Sequence, residues 1–314
     1  MLLFLMACQS ATAPIDTGEE LDPSPYLVDE ADPVTANLSS EEVGTAVQEL
    51  LSQIVDLNAA PVFNAYEAAM QGAEPGCPDF YEDEGNVYWY DYCYAADGSY
   101  FTGYAFSQDY NDQEIDGYSY NGQAVYSVAE VTNANSHVFT GGGSAQLLRA
   151  DSIEGEKDVT HTIWYSVLEG GYAYDGPEAA GTWMSEGIAP SLTLQFVEIP
   201  VEADIGISGR IFIASGGVSG LQGIAGTAVV ENFQVWPAAF GNSCPEEPHG
   251  IISVRDDEGL WYDVIFDGAP AWTEEAIDPA LCDGCGSIYF RGEKIGSTCV
   301  DVVDLPGEVG VQPW

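Results

Sequence analysis

Asn86-Val-Tyr-Trp-Tyr-Asp-Tyr-Cys-Tyr94 reads as a β-strand, and its reading decides the rest. Tyr88, Tyr90, Tyr92 and Tyr94 fall on one face, and Trp89 and Cys93 fall on the other. Aromatic residues suit a pleated, half-buried surface. Tyr100-Phe-Thr-Gly-Tyr-Ala-Phe106 continues the alternation through Tyr100, Tyr104 and Phe106, and Tyr118 and Tyr120 extend it. If Trp89 and Cys93 face the core, a band of tyrosines faces outward.

Working outward, similar runs rich in Val, Ile, Thr and Tyr recur between Gly, Asp and Asn punctuation. They predict strands at 87–94, 99–106, 123–131, 145–149, 159–168, 191–199, 206–213, 227–235, 250–255, 260–266 and 286–290. Their connections are too short to hold a crossover helix, so antiparallel pairing is expected. Gly217, Gly220, Gly223 and Gly226 mark a glycine-rich turn between two of these strands.

Upstream the period changes to helical. Ser39 with Glu42 is a capping box, and Val43, Ala46, Val47, Leu50, Leu51 and Ile54 form one apolar stripe. Pro61 opens a second helix, with Phe63, Tyr66 and Met70 on one face, and Gly72 stops it. The expected fold is mainly β: an antiparallel multi-strand sheet, as a sandwich or an open or half barrel. It carries one N-terminal helical hairpin over 40–72 and disulfide-bonded β-hairpins. The main sheet is expected over 77–240 and cysteine-rich hairpins over 244–314, within one body spanning 39–314.

Residues 9–38 hold acids and prolines and no basic residue, the composition of an extended, solvated tether. Ahead of it, residues 1–8 end in Leu5-Met6-Ala7-Cys8 after an apolar run. This resembles the lipobox of bacterial lipoproteins. The resemblance implies cleavage before Cys8, lipid on Cys8, and residence in the cell envelope. Gln9 rather than Asp after the cysteine implies the outer membrane of a Gram-negative cell. A secretory signal ordinarily opens with basic residues; none stands here, and an upstream start is expected. In style the chain is similar to acidic, cysteine-bearing lipoproteins of myxobacteria-like lineages.

Seven cysteines less Cys8 leave six, an even set in an exported chain, so disulfides are expected. Cys77 and Cys93 are equidistant from Gly85, and Cys285 and Cys299 from Gly292. Three-residue hairpin loops centred on those glycines set each pair opposite. Cys244 and Cys282 remain for each other. The alternatives for Cys282-Asp-Gly-Cys285 are a redox pair or zinc with Cys244 and Cys299; neither the helical context nor a second CxxC is present.

Six Lys and Arg against 51 Asp and Glu give a net charge of −45. Phosphate-neutralising nucleic-acid binding and polybasic membrane adhesion are thereby excluded. A body so charged repels itself, so salt or bound cations should relieve it. Calcium is one candidate. The expected register sets Asp79 opposite Asp91, and Asp109-Tyr-Asn-Asp112 resembles the start of an EF-hand loop, broken at Ile115 and Asp116. No other cofactor is expected.

Motifs for catalysis are thin. His137, His161 and His249 stand apart from any nucleophile elbow, since Gly217-Val-Ser219-Gly220-Leu221 lacks the closing glycine. The suggestive feature is tyrosine: Tyr88, Tyr90, Tyr92, Tyr94 and Tyr104 suit stacking on a ligand such as a sugar. The competing use of the same residues is cross-strand pairing or burial under the helices. The expected function is a lipid-anchored, non-enzymatic binding or scaffolding module acting on envelope polysaccharide or protein. The alternatives are a carrier enclosing an apolar ligand between sheet and helices, and a polysaccharide hydrolase using carboxylates.

Overall fold

The structure, a computed structural model, describes residues 35–83, 85–154, 158–176, 180–184, 191–199, 209–221, 223–224, 226–237, 242–245, 247–271, 282–307 and 311–314. Cys8 and nearly all of the tether lie outside them.

The capping box forms. The Ser39 hydroxyl accepts the Glu42 amide at 3.3 Å, and the Glu42 carboxylate accepts the Ser39 amide at 2.8 Å. These bonds satisfy orphan donors at the start of α1 (Ser40–Gln53). A single 3-10 turn (Ile54–Leu57) leads to α2 (Ala60–Met70). Asn58 holds the junction by accepting the Ala60 amide and donating to the Val55 carbonyl, both at 2.8 Å.

One antiparallel sheet follows: β1 (Phe80–Asp83), β2 (Asn86–Tyr94), β3 (Tyr100–Ile115), β4 (Tyr118–Thr132), β5 (Val138–Glu154), β6 (Asp158–Asp175), β7 (Ala180–Met184), β8 (Ser191–Ile199), β9 (Gly209–Ser219), β10 (Thr227–Val235), β11 (His249–Arg255), β12 (Trp261–Asp267), β13 (Cys285–Phe290) and β14 (Glu293–Cys299). Its order follows the chain, with β1 and β14 as the two ends, so it is open and not a sandwich. β7 and β8 share one lane beside β6, pairing with Gly171–Asp175 and Thr162–Glu169 respectively. β10 pairs with β11, so the main sheet and the cysteine-rich hairpins are one sheet.

Strands β3 to β6 are longer than the sequence predicts. The residues that read as punctuation are instead irregularities inside strands. β3 shifts register between Tyr110 and Gln113, where Asp112 takes a positive φ of 49°. Gly122 sits inside β4 at φ 134°, its missing side chain leaving room for the Leu147 carbonyl.

The helices lie on one face of the sheet, each over its own half. α2 brings Val62, Phe63 and Ala69 onto Trp89, Phe101, Phe139 and Leu168. The Tyr66 hydroxyl accepts the Trp89 indole N–H at 2.9 Å, and burial pushes its pKa up to about 12. α1 lays Val43, Val47, Leu50 and Leu51 on Leu194, Phe233, Val264 and Phe266. Gly44 lets α1 approach β14, since a Cβ there would stand 2.3 Å from the Thr298 hydroxyl. The Tyr262 hydroxyl accepts the amides of Asn37 and Leu38 at 2.7 and 3.0 Å, tying the lead into α1 down on β12.

Candidate functional site: the outer tyrosine face

The opposite face of β1 to β4 is solvent-facing and rich in tyrosine. Trp89 and Cys77 pack inward under α2, so the pleat turns the β2 tyrosines outward. Tyr90, Tyr92 and Tyr94 are 83%, 70% and 67% exposed. Register places Tyr90 opposite Tyr104, Tyr94 opposite Tyr100, and Tyr88 opposite Phe106. Tyr88 is half-buried, stacked on Tyr81 of β1 at 4.8 Å and tilted against Phe106 at 4.9 Å. Tyr88 is thus a cross-strand support more than an open surface. Tyr104 is exposed and bonds hydroxyl to hydroxyl with Tyr126 at 3.1 Å, a contact that raises its pKa.

Tyr92, Tyr94 and Tyr100 form a braced trio. Tyr92 stands near-perpendicular to Tyr94 (86°) and to Tyr100 (87°), at 6.3 and 5.6 Å. Tyr94 and Tyr100 are tilted at 4.8 Å. Edge-to-face contacts of this kind hold rings in place. Tyr81 joins the face and was not read there, because β1 is a short edge strand with no alternation of its own.

The three disulfides form with the expected connectivity: Cys77–Cys93, Cys244–Cys282 and Cys285–Cys299. The hairpin turns differ. Asp83 lies opposite Asn86, so the register of β1 and β2 is one residue off the expected one. Cys285 does lie opposite Cys299, but across a two-residue turn, Arg291-Gly292, with both residues at positive φ. A bulge on β14 beyond that turn takes up the extra residue and restores the cysteine register.

The aspartates named for calcium separate into two places. Asp91 uses its carboxylate to accept the Asp79 amide at 3.1 Å, so the expected like-charge confrontation does not arise. Asp109 and Asp112 are farther along β3, and Asp112 bonds the Asn121 side chain at 3.0 Å. Among the described residues, no three metal-ligating side chains come together.

The histidines are also engaged. His161 shares a hydrogen bond with the Tyr118 hydroxyl at 3.0 Å, and His137 with that of Tyr174. His249 contacts the Gly268 carbonyl at 2.8 Å, and burial lowers its pKa.

Sequence reasoning missed two buried charges. Arg210 donates to the Glu198 carboxylate at 2.9 Å and to the carbonyls of Pro306 and Val311, so it holds the C-terminal segment. It lies beside a groove of about 430 Å³ between α1 and that segment, lined also by Leu51, Phe196 and Pro313. Glu247, only 1% exposed, accepts the amides of Asp283 and Gly284 at 3.2 and 2.8 Å. Burial, with Asp267 and Asp283 nearby, pushes its pKa up to about 7. Scarcity of basic residues is the signal that marks Arg210. Glu247 carries none, being one acid among 51.

A pH effect follows. Between about 4.5 and about 7 the folded protein keeps the Glu247 proton that the unfolded chain releases. Stability therefore falls as pH rises through that window, while neutral His249 contributes the opposite slope below its ordinary value of 6.5. Denaturation midpoints measured from pH 4 to 8 should show a falling limb that flattens in Glu247→Gln. An unchanged limb would mean that Glu247 is solvated.

Comparison with known protein families, with curated proteins and with solved structures returns no match.

Proposed function

We propose that this protein is a non-enzymatic binding module of the cell envelope, lipid-anchored at Cys8, whose ligand docks on the outer tyrosine face. The observation that carries the reading is the exposure of Tyr90, Tyr92 and Tyr94 on a rigid sheet. Burying exposed aromatic rings is a strong source of binding energy, and braced rings lose little freedom on binding. The three disulfides suit an oxidising, extracytoplasmic setting. The carrier reading draws less support, because the space between helices and sheet is filled by packed side chains such as Leu50, Phe233 and Phe266.

The test uses two changes. Mass spectrometry of the full chain from the cell should find acyl chains on Cys8, and Cys8→Ser should move the protein to the soluble fraction. That soluble protein should cosediment with isolated envelopes, and Tyr90→Ala/Tyr92→Ala/Tyr94→Ala should weaken this about tenfold or more. An unmodified Cys8 would remove the anchor from the reading. Cosedimentation indifferent to the three tyrosines would remove the site.

A further inference from the structure

The outer tyrosine face lies in the most one-sided part of the molecule. Arg149, on β5, is the first basic residue of the chain, so α1, α2 and β1 to β4 present no positive side chain. On this face β1 contributes Asp83, opposite Asn86. β4 contributes Glu130, in the cross-strand row Tyr92, Thr102, Glu130, Thr140. The whole chain carries −45. Polyanionic ligands are repelled by such a field, and cations are concentrated by it. The faces of tyrosine rings are themselves negative and attract Lys and Arg. Charge complementarity therefore selects a cationic ligand.

The spacing of the rings selects its form. Tyr90, Tyr92 and Tyr94 occupy alternate positions of one strand, with steps of about 6.6–6.8 Å. An extended polypeptide laid along β2 presents its own alternate side chains at the same step. Glu130 is two lanes from Tyr92, about 10 Å across the sheet, so a long basic side chain lying over the rings and the Glu130 side chain can reach toward each other across Thr102.

We propose that this face receives an extended basic segment of a partner protein, with alternate Lys or Arg side chains over Tyr90, Tyr92 and Tyr94. The proposal rests on the reading of the tyrosine face as the binding surface and names its partner. The perpendicular bracing of Tyr92 against Tyr94 and Tyr100 supplies a preformed receptor. Acids at the margin supply attraction that salt weakens.

The experiment titrates the full chain with a labelled peptide of alternating Lys and Thr, read by fluorescence anisotropy at low and high salt. A peptide of the same composition with its Lys residues grouped at one end is the spacing control. A soluble neutral glucan is the competing ligand. The alternating peptide should bind more tightly than the grouped one, and salt should weaken it. Tyr90→Ala/Tyr92→Ala/Tyr94→Ala should weaken it about tenfold to a hundredfold. The corresponding Phe substitutions keep the rings and should keep the affinity. Equal binding of the two peptides would overturn the strand-matched arrangement. Peptide binding unchanged by the Ala substitutions would overturn both the basic partner and the tyrosine face as its site. Glucan binding lost in the Ala variant, with the peptide ignored, would keep the face and overturn the basic partner. Binding of neither ligand would overturn both readings.

Discussion

Phe139→Ala should be among the most damaging single substitutions in the body, lowering stability by about 3–5 kcal/mol. Phe139 is fully buried on β5 beneath α2. Its ring meets Tyr66 edge-on at 5.5 Å and Tyr172 at 5.9 Å. Truncation removes the ring from that cluster and leaves a cavity that a sheet flanked by paired strands cannot close. The measurement is a urea unfolding midpoint. A loss under about 1 kcal/mol would mean that α2 collapses into the space, contrary to the range for rigid cores.

The second large effect is expected from the Cys244–Cys282 link. It closes a separation of 38 residues, and replacing both cysteines by serine should cost about 4 kcal/mol by loop-closure entropy. The loss has a local consequence as well. Glu247 reaches the amides of Asp283 and Gly284, which follow Cys282 directly. With the link cut, the turn is free to leave a carboxyl that is already costly to bury. Calorimetry should therefore place the melting temperature of the double Ser variant, which keeps the other two disulfides, below that of the native protein and above that of the fully reduced protein. Equal melting temperatures of the native and double Ser proteins would remove the link from the stability argument.

Most strands, both helices and two of the three cysteine pairs are legible because their signals are local, whereas Cys244–Cys282 comes only by elimination and β7 has no predicted strand. Alternation over Asn86–Tyr94 exposes the pleat, Ser39 and Glu42 announce the helix, and glycines centred between cysteines announce hairpins. Errors enter where a neighbour in space decides. Gly122 reads as a turn signal, but the Leu147 carbonyl of the next strand is what requires it. The bulge that returns Cys285 to Cys299 is invisible in composition. The division of one lane between β7 and β8 depends on the length of β6. The tyrosine face is legible as a pattern, while which rings stay open depends on Tyr81 stacking over Tyr88. Glu247 is not legible at all, since its burial comes from residues far along the chain.

The order of the sheet carries a consequence for how the chain is made. Each lane pairs with its sequence neighbour, so the sheet can zip forward hairpin by hairpin with little loop-closure entropy at each step. α1 is the exception. Its lead-in bonds to Tyr262 across a sequence separation of 225, and its glycine approach rests on β14 at the far end of the sheet. The first helix to emerge must therefore wait for strands made much later. Its apolar stripe gains a platform as Leu194, Phe233 and Val264 arrive on β8, β10 and β12, and its seat is complete only once the C-terminal hairpin has brought Thr298 against Gly44.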